Sequence, residues 1–147
     1  MNLRLSANSI VTNRNGEILF VELKKGPFAG GICIPGGGVE LGELAMNAVI
    51  REIKDETGIL IENTEPIGFC ELIHEGFKDH RIVTLWHSDA EGEPISSDEG
   101  KAFWSKYEDV GDKLIPFARG SIEMWLSGKK HFKLVGDETG ITWKWKD

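Results

Sequence analysis

The sequence predicts an α+β domain, and three observations support this. Two segments near the N-terminus have the β-branched and apolar composition of strands and meet at Asn15-Gly16, a dipeptide typical of tight hairpin turns. A second pair of such segments occurs later in the chain. Two other stretches have the 3.6-residue apolar period of a helix. A chain of 147 residues has the size of one domain, so we expect residues 1–147 to form a single unit.

The predicted elements follow one another in a regular order. Residues 6–12 (SANSIVT) and 17–23 (EILFVEL) form a hairpin, residues 24–31 form a glycine-rich loop, and residues 32–34 form a short strand that Pro35 ends. A helix then runs to Gly58, and residues 67–75 (IGFCELIHE) and 80–90 (HRIVTLWHSDA) form a hairpin around a turn at residues 76–79. A polar loop covers residues 92–100, and a second helix covers residues 118–127, with an apolar stripe of Ile122, Trp125 and Leu126. A last hairpin is predicted at about residues 131–146, with a turn between Gly136 and Gly140 and with Trp143 and Trp145 on one face.

The composition excludes several classes of function. The formal net charge is −7, whereas a protein that follows the phosphates of a long nucleic acid needs a basic face. We therefore expect no long nucleic-acid partner, although a small anion held through a metal remains compatible. The two cysteines, Cys33 and Cys70, are too few for a disulfide framework and fit a reduced compartment. Without a membrane-spanning run or a signal peptide, we expect a soluble cytoplasmic protein with no membrane partner.

The helix before Gly58 carries an unusual set of charges. Its apolar stripe consists of Ala45, Met46, Val49 and Ile53. Glu52, Asp55 and Glu56 fall within an arc of about 100° on or beside this stripe, so we expect them to point toward protein. They also lie at the C-terminal end of the helix, where the helix dipole opposes negative charge. This arrangement is unfavourable unless another group compensates for it.

A divalent cation between the carboxylates would remove these penalties. Oxygen ligands favour a hard ion such as Mg²⁺ or Mn²⁺, and the alternative is a solvated acidic patch. The three glycines at 36–38 let the backbone approach a ligand closely and turn a carbonyl toward it. Glu43, at the start of the helix, is placed to orient Arg51.

Residues 37–59 resemble the signature box of the Nudix hydrolases. Gly37 is followed by five residues and Glu43, and then by seven residues and the run REIKDETGI at 51–59. Only Asp55 departs from the pattern, because the family usually has glutamate there. The resemblance covers roughly residues 5–126 and implies the Nudix fold, a mixed β-sheet sandwiched between helices in an α/β/α arrangement.

The resemblance implies an enzyme in which water attacks a phosphorus atom of a pyrophosphate linkage, with Mg²⁺ or Mn²⁺ as cofactor. Its implied metal ligands are the Gly36 carbonyl and the side chains of Glu52, Asp55, Glu56 and Glu99. Its implied catalytic residues are Glu52, Glu56, Arg51, Glu43 and Glu99, with Arg51 and Glu43 in orienting roles. The general base stays open between a glutamate of the box and a carboxylate of the loop at 92–100. In that loop Glu99 is preferred and Asp98 is the alternative.

The expected partner is a small-molecule nucleotide. A nucleoside triphosphate is favoured because relatives that hydrolyse ADP-ribose commonly have a longer N-terminal region that helps to form a dimer. The alternatives are a nucleotide-sugar or CDP-alcohol hydrolase, and a catalytically silent Nudix module that senses a nucleotide. The sequence leaves open whether the chain forms a homodimer. Phe28, in the glycine-rich loop, is a candidate to stack on a nucleobase, with core packing as the alternative.

Overall fold

The structure is a computed structural model that describes residues 1–136 and the backbone of residues 143–146. Within these residues nine strands form one mixed sheet. The strands are β1 (Leu3–Thr12), β2 (Ile18–Leu23), β3 (Ile32–Cys33), β4 (Gly36–Gly38), β5 (Glu62–His74), β6 (Asp79–Asp89), β7 (Gly100–Ser105), β8 (His131–Gly136) and β9 (Trp143–Lys146). The helices are α1 (Ala45–Thr57), α2 (Tyr107–Val110) and α3 (Pro116–Ser127), and a 3₁₀ turn spans Gly111–Lys113.

The strand order is β3-β2-β1-β6-β5-β8-β9, with β4 paired to β1 and β7 paired to β2. β1 runs parallel to β6, and β5 runs parallel to β8. The other strand pairs are antiparallel. The sheet is therefore mixed, as the sequence predicts.

Each face of the sheet is covered by one of the two longer helices. On one face α1 contributes Val49 and Ile53 to a core that also contains Ala7, Val11, Leu19, Ile59, Ile61 and Ala90. On the other face α3 contributes Phe117, Ala118, Ile122 and Met124 to a core with residues such as Ile10, Phe20, Leu72, Val83 and Leu85. The predicted α/β/α layering is thus confirmed.

Most predicted elements are present with small shifts at their ends. The first hairpin turn is closed by the Gly16 amide, which donates to the Asn13 carbonyl at 3.1 Å. Helix α1 ends at Gly58, whose φ of 75° favours glycine. Strand β5 begins at Glu62, five residues earlier than predicted. At the C-terminus β8 and β9 pair as predicted, while the turn at 136–140 beyond Gly136 and the side chains of Trp143 and Trp145 lie outside the described residues.

Some expectations were wrong or incomplete. Strand β7, helix α2 and the short strand β4 at the glycines 36–38 were not predicted. Met46 and Leu126 were placed in the buried stripes of their helices, yet they are 40% and 62% exposed. Met46 lies in the first turn of α1 and Leu126 in the last turn of α3, so each is at an end of its helix. None of the helices in the described part of the chain is long and apolar enough to cross a membrane.

Candidate active site

A cavity of about 330 Å³ opens between the sheet and the start of α3. Two pairs of charged residues line it: Glu56 of α1 with Glu99 of the loop before β7, and Asp79 with Arg81 of β6. Most of the remaining wall is apolar and comes from Val21, Leu23, Phe28, Cys33, Ile34, Leu72, Val83, Ile115, Pro116 and Phe117. Such a cavity, apolar with a few charged groups, is typical of a small-molecule site.

Glu56 is the most strongly perturbed carboxyl group of this cavity. Burial, followed by the negative charges of Glu52, Glu99 and Asp55, raises the pKa of its side chain from the ordinary 4.5 to about 8, although a hydrogen bond from the Gly36 backbone acts in the opposite direction. The ionised form of Glu56 is therefore disfavoured unless a positive charge is close by. Strongly perturbed carboxyl groups in clefts are frequent at functional sites.

Arg51 braces the carboxylates at the other side of α1. Its Nε and Nη2 donate to the two carboxylate oxygens of Glu43 at 2.8 and 2.9 Å, and its Nη1 donates to Glu52 at 2.9 Å. Nη2 also donates to the carbonyl of Gly38 at 3.1 Å. The hydrogen bonds from Arg51 hold the pKa of Glu43 at about 2, so Glu43 stays ionised. The predicted contact between Glu43 and Arg51 is present, and it fixes the side chain of Glu52.

The glycines of β4 let this strand lie tightly against its neighbours. A Cβ atom on Gly36 would overlap the backbone of Ala7 and Asn8 in β1, and Gly36 has a φ of 153°. A Cβ atom on Gly37 would lie 2.5 Å from Cδ of Glu52. In contrast, a Cβ atom on Gly38 would meet nothing within 4 Å. A side chain at Gly36 would therefore collide with β1 and one at Gly37 with Glu52, whereas one at Gly38 would collide with neither.

The loop before β7 brings Glu99 to the cavity. The Lys24 amide donates to the Glu99 carbonyl at 3.2 Å, and the Glu99 amide donates to Ser97 Oγ at 3.2 Å. Glu99 lines the cavity and influences the pKa of Glu56, but Asp98 is not among the lining residues. Asp55 is exposed on the outer side of α1, so the expectation that all three helix carboxylates point toward protein was wrong for this residue.

The chemistry of these groups fits a hard divalent cation. The side chains at this end of the cavity offer carboxylate oxygens, and a cation beside Glu56 would offset the burial and like charge that raise its pKa. Within the described residues, however, no three His, Cys, Asp or Glu side chains are already arranged as a metal-ligand group. Arg51 donates to Oε1 of Glu52 only, so Glu52 can offer Oε2 to an ion from its present position. Asp55 is exposed, so its side chain would have to turn to join Glu52 and Glu56.

Sequence reasoning did not identify Asp79 and Arg81 as site residues. Both lie at the start of β6, two positions apart, and therefore on the same face of the sheet as the buried Val83. An Asp-x-Arg pair on the buried face of a strand was the available signal. Phe28, which was predicted either to stack on a base or to fill the core, lines the cavity.

A larger depression of about 740 Å³ lies elsewhere on the surface, between the first hairpin and the segment after α1. It carries four carboxylates, Glu62, Asp89, Glu91 and Glu93, together with Arg14. It contains none of the residues predicted for the active site. Its size alone therefore does not make it the candidate site.

Comparison with known proteins identifies the family. The family model of the NUDIX domain matches residues 2–126, so the chain belongs to the Nudix family. Two solved structures have the same fold: a MutT NUDIX hydrolase of Burkholderia pseudomallei and a MutT protein of Bacillus halodurans. The first has a TM-score of 0.76 and 27% identity over 84% of this chain and 98% of that chain. The second has a TM-score of 0.78 and 22% identity over 97% of each chain.

Two curated relatives have named activities. An ADP-ribose pyrophosphatase of Methanocaldococcus jannaschii is 44% identical over 92 residues, which are 62% of this chain and 54% of that protein. An 8-oxo-dGTP diphosphatase of Escherichia coli is 31% identical over 102 residues, 67% of this chain and 76% of that protein. The match thus spans about half the length of the archaeal relative. The two names describe different substrates, so the substrate has to be argued from the site.

Proposed function

We propose that the protein hydrolyses the pyrophosphate linkage of a nucleoside di- or triphosphate derivative, with a nucleoside triphosphate as the favoured substrate. The observation that carries this proposal is the environment of Glu56. Its carboxyl group is partly buried at a nucleoside-sized cavity, beside Glu52 and Glu99, and its pKa is raised to about 8. Burying the carboxylate of Glu56 close to two other carboxylates is costly unless they bind a cation, which a pyrophosphate substrate also requires.

The proposed cation is Mg²⁺ or Mn²⁺, held by Glu52, Glu56 and Glu99 with the Gly36 carbonyl and, through a turned side chain, Asp55. When bound, such an ion neutralises pyrophosphate charge and lowers the pKa of coordinated water. Arg51 would keep Glu52 in position through its hydrogen bonds to Glu43 and Glu52. The apolar walls would exclude water from the nucleoside part of the substrate.

A carboxylate near the attacked phosphorus would accept a proton from water. Glu99 is the preferred base because it is the carboxylate of the loop at 92–100 that lines the cavity. Glu52 and Glu56 of the box remain alternatives, and of these two Glu56 lines the cavity. Asp98 is a weaker candidate because it does not line the cavity.

The relatives favour a second candidate substrate. The M. jannaschii protein is named an ADP-ribose pyrophosphatase, so a nucleotide-sugar is the main alternative, with CDP-alcohols as a related one. A nucleotide-sensing module without turnover is the non-enzymatic alternative, and Asp55 in place of the usual glutamate is the feature that favours it. The retained Arg51, Glu52 and Glu56 argue against it.

The proposal is tested by measuring phosphate and pyrophosphate release from a panel of nucleoside triphosphates, oxidised nucleotides, ADP-ribose and CDP-alcohols. Each compound is incubated with the protein in Mg²⁺ and, separately, in EDTA. We expect release that requires Mg²⁺ and is concentrated on one class of compound. Nucleotide binding without release from any compound would replace the enzyme with the sensing module.

A further inference from the structure

We propose that the protein forms a two-fold symmetric dimer through the part of the sheet that continues beyond α1. The occupant of this surface is a second copy of the chain, and the two sheets pack face to face. The inference goes beyond the proposed function and does not depend on it, because it concerns the side of β5 and β6 that points away from the cavity.

The surface in question, called the open face, lies on β6, β5 and β8. Helix α1 packs on the part of the same sheet face that β1, β4 and β7 form. Neighbouring residues of a strand point to opposite faces, and Cys70, Leu72 and Leu134 point into the core that contains α3. The residues that alternate with them therefore point to the open face. On β5 and β8 these are Phe69, Glu71 and Ile73, in register with His131, Lys133 and Val135.

Several apolar side chains of the open face lie outside the two cores. Ile82 of β6 is in register with Glu71 and so shares the face. Among the described residues, Phe69, Ile73, Ile82 and Val135 belong to neither core, and Phe69 is 39% exposed. A contiguous apolar patch that is rimmed by polar residues marks an interaction surface. Another surface is therefore expected to cover this face.

Side chains on the open face already hold one another in place. The ring centroids of Phe69 and His131 lie 4.5 Å apart, with 35° between the ring planes. Nε2 of His131 lies 3.6 Å from Oε1 of Glu71. Side chains that are held by their neighbours lose less conformational entropy when a partner binds. The open face is thus preorganised for packing against a second sheet.

The charges of the open face favour a second copy and locate the symmetry axis. Glu71 and Lys133 lie at the middle of the face, at the same level of the adjacent parallel strands β5 and β8. A two-fold axis that runs parallel to these strands and between them places each residue of β5 opposite its registered neighbour on β8 of the second copy. Glu71 of each copy then meets Lys133 of the other, and Ile73 meets Val135.

Other positions of the axis are less favourable. An axis along β5 would place the Glu71 side chains of the two copies against each other, and an axis along β8 would do the same with Lys133. An axis between β5 and β6 would place Glu71 against Ile82. The first two arrangements bring like charges together, and the third buries a carboxylate against an apolar side chain. The axis between β5 and β8 avoids these costs.

The size of the open face sets the expected strength of the dimer. With β9 at its edge, the face is four strands wide and spans residues 69–73 in length, which gives roughly 19 Å by 17 Å, or about 300 Å² in projection. Interfaces of standard size bury about 800 Å² on each partner. We therefore expect a weak, reversible dimer with a Kd on the order of 10 to 100 μM.

Sedimentation equilibrium between about 1 μM and 1 mM protein, a range that brackets the expected Kd, tests the dimer. The wild type should dimerise reversibly. Ile73→Lys should weaken the dimer at least tenfold, because it places a charge against Val135 of the second copy. Glu123→Lys, which changes an exposed residue of α3, is the matched control and should dimerise like the wild type.

A mixing experiment tests the arrangement of the two copies. Glu71→Lys alone and Lys133→Glu alone should each weaken the dimer at least tenfold, because like charges then meet twice across the interface. An equimolar mixture of the two variants should form a heterodimer with nearly the wild-type affinity, since both contacts then join opposite charges. Contacts within one copy are the same before and after mixing, so recovery reports the contact between copies.

Three results would overturn the inference. A wild type that stays monomeric at the highest concentration would leave the open face to a different protein. A dimer that Ile73→Lys leaves intact would show that the copies meet on another surface. Single variants that lose the dimer and do not recover it on mixing would remove the contact between Glu71 and Lys133. Circular dichroism melting of each variant confirms that the fold is retained.

Discussion

At the residue scale, Glu56 brings together burial and like charge. Its carboxyl group is shielded from water and is surrounded by the charges of Glu52, Glu99 and Asp55. These effects act in the same direction, so the protein without a cation is destabilised by the ionised side chain. This loss in the free energy of unfolding is absent below pH 4.5, where the Glu56 carboxyl group is protonated in both the folded and the unfolded chain. It grows as the pH rises toward 8, because only the unfolded chain then releases the proton.

The change Glu56→Gln should separate stability from activity. The amide has nearly the same size and no charge, so in EDTA at pH 8 we expect the variant to be more stable than the wild type. The gain should be on the order of 2 kcal/mol, less than the full pKa shift would give because the side chain keeps some contact with solvent. Near pH 4.5 the difference should vanish. At pH 8 the variant should also lose Mg²⁺-dependent turnover. Urea unfolding and the release assay measure the two quantities.

Glu123→Gln is the matched control, since Glu123 is an exposed carboxylate on α3 outside the cavity. It should change neither stability nor turnover appreciably. If Glu56→Gln unfolds the protein and loses activity in parallel, Glu56 has a structural role and the assignment of the site is wrong.

At the scale of elements, β4 determines how closely the carboxylates can approach the sheet. Three consecutive glycines pair with β1 in the register Ser6↔Gly38, Ala7↔Gly37 and Asn8↔Gly36. A side chain at the middle position would occupy the space that Glu52 now fills. The strand thus leaves room for a glutamate of the neighbouring helix.

The substitution Gly37→Ala should lower turnover at least tenfold, since small displacements of a catalytic group are costly. Its Cβ would push Glu52 away from its present position, although the backbone at Gly37 needs no left-handed conformation. We expect the free energy of unfolding to change by about 1 kcal/mol or less, because Glu52 can swing toward solvent. Steady-state kinetics and urea unfolding measure the two effects.

Gly38→Ala is the control within the same strand. A Cβ at Gly38 meets nothing within 4 Å, so this variant should keep the wild-type turnover. Equal losses in both variants would show that any side chain disturbs β4, and the specific contact with Glu52 would not be the cause.

The elements also show which features a sequence can predict. The box from Gly37 to Ile59 was recognisable because its spacing is fixed along the chain, and its helix, glycines and Glu43–Arg51 contact follow from that spacing. Asp79 and Arg81 were missed because their meaning depends on packing. They become site residues only when β6 lies against β1 and when α3 closes the cavity. The outward position of Asp55 likewise depends on where the sheet meets α1.

At the scale of the whole molecule, the net charge of −7 attracts cations to more than one place. The cavity at Glu56 has an apolar wall and a shielded carboxyl group. The larger depression carries Glu62, Asp89, Glu91 and Glu93 in an open setting. Salt strongly weakens the attraction between a cation and exposed carboxylates, but it weakens the attraction to a partly buried carboxylate much less. The two kinds of cation binding can therefore be separated.

We expect Mg²⁺ to raise the melting temperature of the wild type more than NaCl of equal ionic strength does. A ligand that binds only the folded state stabilises it by about 2.7 kcal/mol at a concentration 100 times its Kd. Glu56→Gln should abolish the excess over NaCl, while Glu93→Gln, which removes a carboxylate from the larger depression, should retain it. Scanning calorimetry at matched ionic strength measures the shifts. The opposite result would be an extra rise in melting temperature that persists in Glu56→Gln but disappears in Glu93→Gln. It would show that Mg²⁺ binds the larger depression and not the cavity, and the carboxylates of α1 would then need another explanation.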